Sequence, residues 1–476
     1  MNKVCVCCCQ TKRIVLKYFK LLQIIAKCKL GAEVPMREKK TLNELIKSRS
    51  VKKQSAVANF TLRFLCGILY YKKCHVTVDR KINLKDYKDC PLLVVSNHAS
   101  RMDYAFVTKA LGTRRVNFVA AENEFHRSHL QGVFKFGNVI PKKNFVPDLT
   151  TLKGMMKILR EEKNGCVCIF PCGMSTASGA QQPSMLGSGK MIKHFAKYGI
   201  PTLGVRIYGG YFLSPKFDVK ERFGKIEVEL FELLSAEQAK DMDEKEIQLK
   251  LDEALFTDDY AWNKDKQHAY KNENGAATNL HQILYKCPVC GEEMSMEGKD
   301  DVIRCLKCGN GATLDDKYNL VPLKGSKVPA NIKEWFDNER RDMRRKVSQP
   351  DFVMEEHVKI GVMRDYEYMK NYNTCDYVGD GILHLDRDGL RYTGTRSGKP
   401  FDMFIKWDLI NTICLPMDAS FFYTYAYNGE FLQFKPDTAS CMRWSFAVEE
   451  VYRVNGGKWQ NYPWFDYEKD SPLVEG

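Results

Sequence analysis

Between about residues 62 and 234, short β-branched and aliphatic runs alternate with stretches whose apolar positions recur every three to four residues. The first pattern is that of buried strands and the second that of amphipathic helices. Together they predict strands over 92–96, 116–120, 138–140, 166–170, 201–207 and 225–231, and helices over 104–111, 149–162 and 189–198. Alternation of strand and helix places this segment in the α/β class, with a sheet flanked by helices. Residues 236–284 then turn polar, charged and helical, as a connector would. Further on, an Arg-rich helix near 335–345 precedes alternating segments at 381–385, 390–393, 404–407, 421–426 and 431–434, and a closing helix near 445–452. The run DRDG at 386–389 suits a hairpin turn better than a calcium loop, because no ligand follows at its far end and its flanks are apolar.

The pattern near the start of the chain is different. Residues 14–30 set Leu16, Phe19, Leu21, Leu22, Ile24 and Ile25 among Lys17, Lys20, Lys27 and Lys29, which predicts a basic amphipathic helix able to lie in a headgroup layer. No run reaches 18 apolar residues, since even 56–71 is interrupted by Asn59 and Arg63, so a transmembrane helix is not expected. Charge sharpens this picture. The formal net charge is +14, but residues 1–53 carry 14 Lys and Arg against three acids, so +11 of it lies there and only +3 in the other 423 residues. A basic arm on a nearly neutral body fits an anionic lipid surface better than a nucleic-acid groove. The 18 cysteines come without a secretory leader, so the compartment expected is reducing cytosol, with the protein peripheral on the cytoplasmic face of a membrane. Whether Cys5, Cys7, Cys8 and Cys9 are modified is left open.

Cys287, Cys290, Cys305 and Cys308 form two Cys-x-x-Cys knuckles, each followed by glycine, with 14 residues between them. Each knuckle presents two thiolates and the glycine permits the positive φ of the turn, so the four predict one tetrahedral zinc. With every position filled by Cys, no ligand position is left for water, and the Zn2+ is structural. A nucleic-acid role for this ribbon is disfavoured, because Glu292, Glu293, Glu297, Asp300 and Asp301 outnumber Lys299, Arg304 and Lys307.

The chemistry is concentrated at Asn97-His98-Ala99-Ser100-Arg101-Met102-Asp103, directly after the 92–96 strand. Five residues along a regular helix separate two side chains by roughly 140°, so His98 must lie in the turn before the helix, with Asp103 reaching back from its first turn. Asp103 can then fix the imidazole tautomer, leaving the other ring nitrogen to take a proton from an alcohol. This is a base and its orienter, without a protein nucleophile. His126 and His129 are read as surface histidines.

The motif NHASRMD resembles, at every fixed position, the NHxSxxD of the glycerolipid (PlsC-type) acyltransferase family. Gly137 to Lys142 resembles the family's second block, Phe170 to Ser175 its FPEGTR block, and Ile200 to Val205 its fourth, over about residues 60–235. The resemblance implies an acyltransferase-type mixed sheet and a catalytic pair of His98 and Asp103. It implies a thioester donor, acyl-CoA or acyl carrier protein, and a hydroxyl acceptor on lysophosphatidate or a related lysolipid. It further implies substrate contacts from Asn97, Ser100, Arg101, Lys142, Lys143, Cys172 and Gly173, with backbone amides near Gly173 facing the oxyanion. Lys142, Cys172 and Ser175 stand where the family has Arg, Glu and Arg, so two charges and a bidentate fork at the acceptor phosphate are missing. Lys143, Arg101 and Arg206 are the candidate substitutes.

The expected organisation is an arm over 1–54, an acyltransferase domain over 55–235, a helical connector over 236–284, a zinc ribbon over 285–312, a linker and helix over 313–349, and a β-rich domain over 350–476. The last resembles, in order of elements, a pleckstrin-homology or GRAM-like barrel. The rival reading is a catalytically weak scaffold that binds lipids or partners through the ribbon and the C-terminal domain. Treating the parts as separate implies that a truncation ending near Leu284 keeps its activity.

Overall fold

The computed structural model describes residues 40–271, 275–370, 374–426, 428–438, 441–457 and 465–469. The predicted helix at 14–30 and the N-terminal cysteines lie outside these residues. Helices α1 (Leu42–Lys47) and α2 (Ala56–Cys66) lead in, each opened by a hydroxyl cap, Thr41 and Ser55, that accepts a backbone N–H. A seven-stranded mixed sheet follows, built from β1 (Thr77–Arg80), β2 (Leu92–Ser96), β3 (Asn117–Ala121), β4 (Ile140–Lys142), β5 (Cys166–Ile169), β6 (Thr202–Tyr208) and β7 (Glu227–Leu234). The spatial order is β1-β7-β6-β2-β5-β3-β4. All pairings are parallel except β6 with β7.

β2 lies at the centre, every residue of it fully buried between layers of helix. This is why LLVVS reads as a continuous apolar run rather than an alternating one. Helices α3 (Asp103–Ala110) and α4 (Gln131–Phe136) follow β2 and β3, α5 (Leu149–Met156) follows β4, and α6 (Ser188–Ala196) precedes β6. The one-turn helix α7 (Gly210–Leu213) follows β6. The connector folds as α8 (Ala236–Asp241), α9 (Glu244–Leu255) and α10 (Asp259–Asn263).

The second half holds a four-stranded antiparallel ribbon: β8 (Met296–Lys299), β9 (Val302–Cys305), β10 (Gly311–Leu314) and β11 (Leu320–Pro322). Helix α11 (Ile332–Val347) leads from it to a six-stranded antiparallel sheet. That sheet contains β12 (Met354–Val362), β13 (Asp376–Leu385), β14 (Gly389–Arg396), β15 (Lys399–Lys406), β16 (Phe422–Tyr425) and β17 (Phe431–Pro436), and α12 (Met442–Val454) closes the chain's last described helix. Residues 386–388 turn between β13 and β14, with Asp386 Oδ1 accepting the Asp388 and Gly389 amides. Strand β12 was not foreseen, because Glu355, Glu356 and Lys359 dilute its alternation.

The halves are not separate bodies. One buried apolar cluster runs from Met174, Tyr211 and Phe217 through Tyr285 and Trp335 to Phe434 and Trp444. Helices α11 and α12 are further joined by Arg340, which donates to Glu449 at 2.7 Å and Glu450 at 3.2 Å within that buried region.

Candidate active site

Three of the sequence blocks converge because β2, β4 and β5 point the same way and release their chains at one edge of the sheet. In open α/β sheets that crevice, where neighbouring connections diverge, is where ligands bind. The fourth block, Ile200 to Val205, instead enters β6 at the opposite end, with Val205 paired to Ser96, and supports β2 from the side.

His98 leaves β2 in the turn before α3, and Asp103 is the first residue of that helix. His98 Nδ1 lies 2.8 Å from Asp103 Oδ2. Asp103 is fully buried and accepts the Ser100 amide and, at 2.7 Å, the Ser100 hydroxyl. Its carboxylate is thus fixed before it meets the ring. The imidazole stacks on Phe170, centroids 4.5 Å apart, at the exit of β5. The backbone of His98 is held from both sides: its N–H donates to Gln181 Oε1 and its carbonyl accepts the Thr176 amide. With Nδ1 committed to Asp103, Nε2 is the nitrogen left for substrate.

The other expected residues divide. Asn97 and Ser100 were expected to touch substrate, but both are buried and engaged within the fold. The Asn97 amide donates to Ile207 O and Thr257 Oγ1 and accepts the Ile207 N–H, which ties β2 to β6. Arg101 lines the groove but pairs with Glu221 at 3.1 Å, and Arg206 pairs with Glu229 at 2.7 Å. Lys143 donates to Gly429 O at 2.7 Å and lies over the Tyr425 ring, so it joins β4 to the C-terminal domain. Gly173 has φ +75°, and its own amide donates to Phe170 O within the turn, not to the open groove. Burial pushes the Cys172 thiol up to about 11 and its Sγ–H donates to Met174 O, which leaves no thiolate for covalent catalysis. Lys142 lines the groove, and burial lowers the pKa of its ammonium. His126, expected at the surface, is buried beside Asn43, and burial drives its pKa down to about 4.

Several contributors gave no sequence signal. Asp259 opens α10, 156 positions after Asp103, and accepts the amides of Gly209 and Tyr211 at 2.9 Å, which fixes the start of α7. Burial raises its carboxyl to about 7. Lys216 is 2% exposed yet lines the groove, and Leu415, Pro416 and Met417 of the C-terminal domain form the facing wall. The groove has a volume of about 3450 Å³. Ordinary ligand pockets hold roughly 300–1,000 Å³, so this one has room for a chain and a head group together. Val57, Phe60 and Phe64 of α2 line it and are 58–70% exposed.

The four ribbon cysteines bring their sulfurs within 4.8 Å of one another. Cys287 Sγ lies 3.6 Å from Cys308 Sγ, and Cys290 Sγ lies 3.7 Å from Cys305 Sγ. A tetrahedron with Zn–S of ~2.3 Å has edges of ~3.8 Å, so the set fits a zinc ion. Gly291 and Gly309 take φ +70° and +76°.

Residues 75–208 match the sequence model of the Acyltransferase family, so this part of the chain is an acyltransferase-family domain. Among solved structures, the chain is similar to the 1-acyl-sn-glycerophosphate (LPA) acyltransferase PlsC from Thermotoga maritima. The identity is 20%, the match covers 44% of this chain and 79% of that one, and the TM-score is 0.34. No curated protein matches.

Proposed function

We propose, from the premise that residues 75–208 form an acyltransferase-family domain, that the protein is a peripheral membrane O-acyltransferase. It moves a fatty acyl group from acyl-CoA or acyl carrier protein to a hydroxyl of lysophosphatidate or a related lysolipid. The observation that carries this reading is the 2.8 Å His98–Asp103 contact at the floor of a chain-sized groove.

His98 Nε2 takes the acceptor hydroxyl's proton as its oxygen attacks the thioester carbonyl carbon. Asp103 holds the ring and stabilises the imidazolium that forms. The tetrahedral intermediate collapses, the C–S bond breaks, and the imidazolium returns its proton to the leaving thiolate. The exposed apolar side chains of α2 at the rim suit entry of an acyl chain from a membrane. Among the described residues no helix is long and apolar enough to cross one. The basic arm supplies attraction to anionic lipid. A structural zinc held by Cys287, Cys290, Cys305 and Cys308 fixes the ribbon and supplies no chemistry to the groove.

The test is transfer of a labelled acyl group from acyl-CoA, and separately from acyl carrier protein, to a panel of lysolipids. Transfer that depends on His98 is the expected result. Folded protein that acylates no member of the panel would favour the scaffold reading.

A further inference from the structure

The facing wall of the groove comes from outside the acyltransferase-family domain. Between β15 and β16, the loop over 415–421 is closed at its base by reciprocal backbone bonds of Cys414 and Tyr423, at 3.0 and 2.9 Å. Asp418 Oδ1 accepts the Ser420 hydroxyl at 2.8 Å and its amide at 3.3 Å, and the Ala419 amide donates to Pro416 O, so the loop is braced from within. The tip it presents, Leu415 to Met417, seats on the FPCG turn. The Leu415 amide donates to Met174 Sδ at 3.3 Å, and Met417 Sδ lies 4.0 Å from the Ser175 hydroxyl. Ser175 is followed by Thr176, whose amide donates to the His98 carbonyl at 2.9 Å. Met417 is therefore one residue removed from a contact with the backbone of His98.

The chemistry of this wall is that of hydrocarbon. Phe145, Met174, Met185, Leu415, Met417 and Phe421 line the groove together. Gly173 belongs with them, since a Cβ on it would meet Phe145 at 3.1 Å and Met185 at 3.7 Å. The polar groups between them are engaged: Ser175 faces Met417, Asp418 holds Ser420, and Asn144 Nδ2 donates to Gly173 O at 3.2 Å. A sugar or phosphate pressed against these six side chains would lose hydration without finding donors. A thioether gives way to an alkyl chain through its rotatable bonds and makes dispersion contacts along it.

We infer that Met417 is a specificity-determining residue: its side chain closes the apolar wall over Ser175 and sets which hydrocarbon chain the groove accepts beside His98. Met417 lies outside residues 75–208, so the selection is made by the C-terminal domain and not by the acyltransferase-family domain. This deepens the acyltransferase reading and rests on it for the carrier of the chain. Two carriers present the same chemistry, the acyl group of the thioester donor and the chain already esterified on a lysolipid acceptor.

The deciding measurement reads binding first. On the full-length protein, fluorescent cis-parinaric acid is displaced by saturated fatty acids of eight to eighteen carbons, and the ratio of long-chain to short-chain affinity is taken for each variant. Met417→Trp shortens the space along the wall. Each methylene denied its contacts costs about fourfold, so the loss of two or three should lower the ratio roughly 15- to 60-fold. Met417→Ala lengthens the space and should raise the ratio, which keeps the inference open to refutation if Met417→Trp does not fold. Met417→Leu, close in volume, should leave the ratio as in the unaltered protein. An unchanged ratio in both Met417→Trp and Met417→Ala, or a uniform loss at every chain length, overturns the inference. Turnover then assigns the carrier. The same shift should appear across an acyl-CoA series at a fixed lysolipid if the donor chain is held there, or across a lysolipid series at a fixed acyl-CoA if the acceptor chain is; an active enzyme that shifts in neither series also overturns it. Because displacement is read without turnover, absence of acyl transfer would refute the catalytic reading and leave this result standing on its own.

Discussion

At the scale of single residues, the dyad sets the clearest expectation. The His98 side chain is partly exposed, so its removal forfeits little packing but deletes the base. His98→Ala should lower kcat/KM by roughly 10²- to 10⁴-fold, the usual contribution of general base catalysis, with the melting temperature almost unchanged. Asp103→Asn should be comparably damaging, since the amide can hold the ring in the wrong tautomer. Lys216 sets an expectation of the opposite kind for stability. Burial drives its pKa down to about 8, so the unfolded chain binds a proton more tightly between about pH 8 and pH 10.5. Folding stability attributable to this group is therefore lowest below pH 8 and recovers as pH rises through that window. Lys216→Met should stabilise the protein at pH 7 by on the order of 1–3 kcal/mol, and the gain should shrink towards pH 10.5 in denaturant titrations.

Among elements, the start of α7 packs closely on the turn that carries His98 and on the first residue of α3. A Cβ on Gly210 would sit 2.7 Å from Ala99 Cβ and 3.4 Å from Asp103 Oδ1. Gly210→Ala should cost about 1–3 kcal/mol by overpacking and reduce activity with it, because the displaced group carries Asp103. Chemical denaturation paired with the transfer assay checks both. The ribbon sets a second expectation at this scale. About one zinc per chain should be found by elemental analysis, and Cys305→Ser should lose it. Cys287 and Cys305 belong to the same apolar cluster as Tyr285 and Trp335, so metal removal should lower the stability of the whole C-terminal half, not of the ribbon alone.

For the whole molecule, the shared core reverses an expectation drawn from the sequence. A truncation ending near Leu284 would uncover Met174, Tyr211 and Phe217 and remove Leu415 to Met417 from the groove. Such a fragment should be insoluble or inactive, where separate domains would have left it competent; expression and transfer assays decide. Liposome binding should rise with anionic lipid, fall with salt as charges are screened beyond ~10 Å at 0.1 M, and weaken when residues 1–30 are deleted. By itself the sequence determined what local pattern can encode. It placed β2 through its apolar run, Asp103 in the first turn of α3 through the geometry of a five-residue offset, and the four cysteines through their knuckle spacing. It did not determine that Asn97 and Ser100 serve the scaffold, that Asp259 fixes α7, that His126 is buried, or that Lys216 faces Leu415 across 199 positions. Only the last of these needs the C-terminal domain to dock; Asn97, Asp259 and His126 meet their partners Ile207, Gly209 and Asn43 when the segments around the seven-stranded sheet come together. Burial and partnership of a polar side chain are set by distant residues brought close in space, and no periodicity along the chain records them.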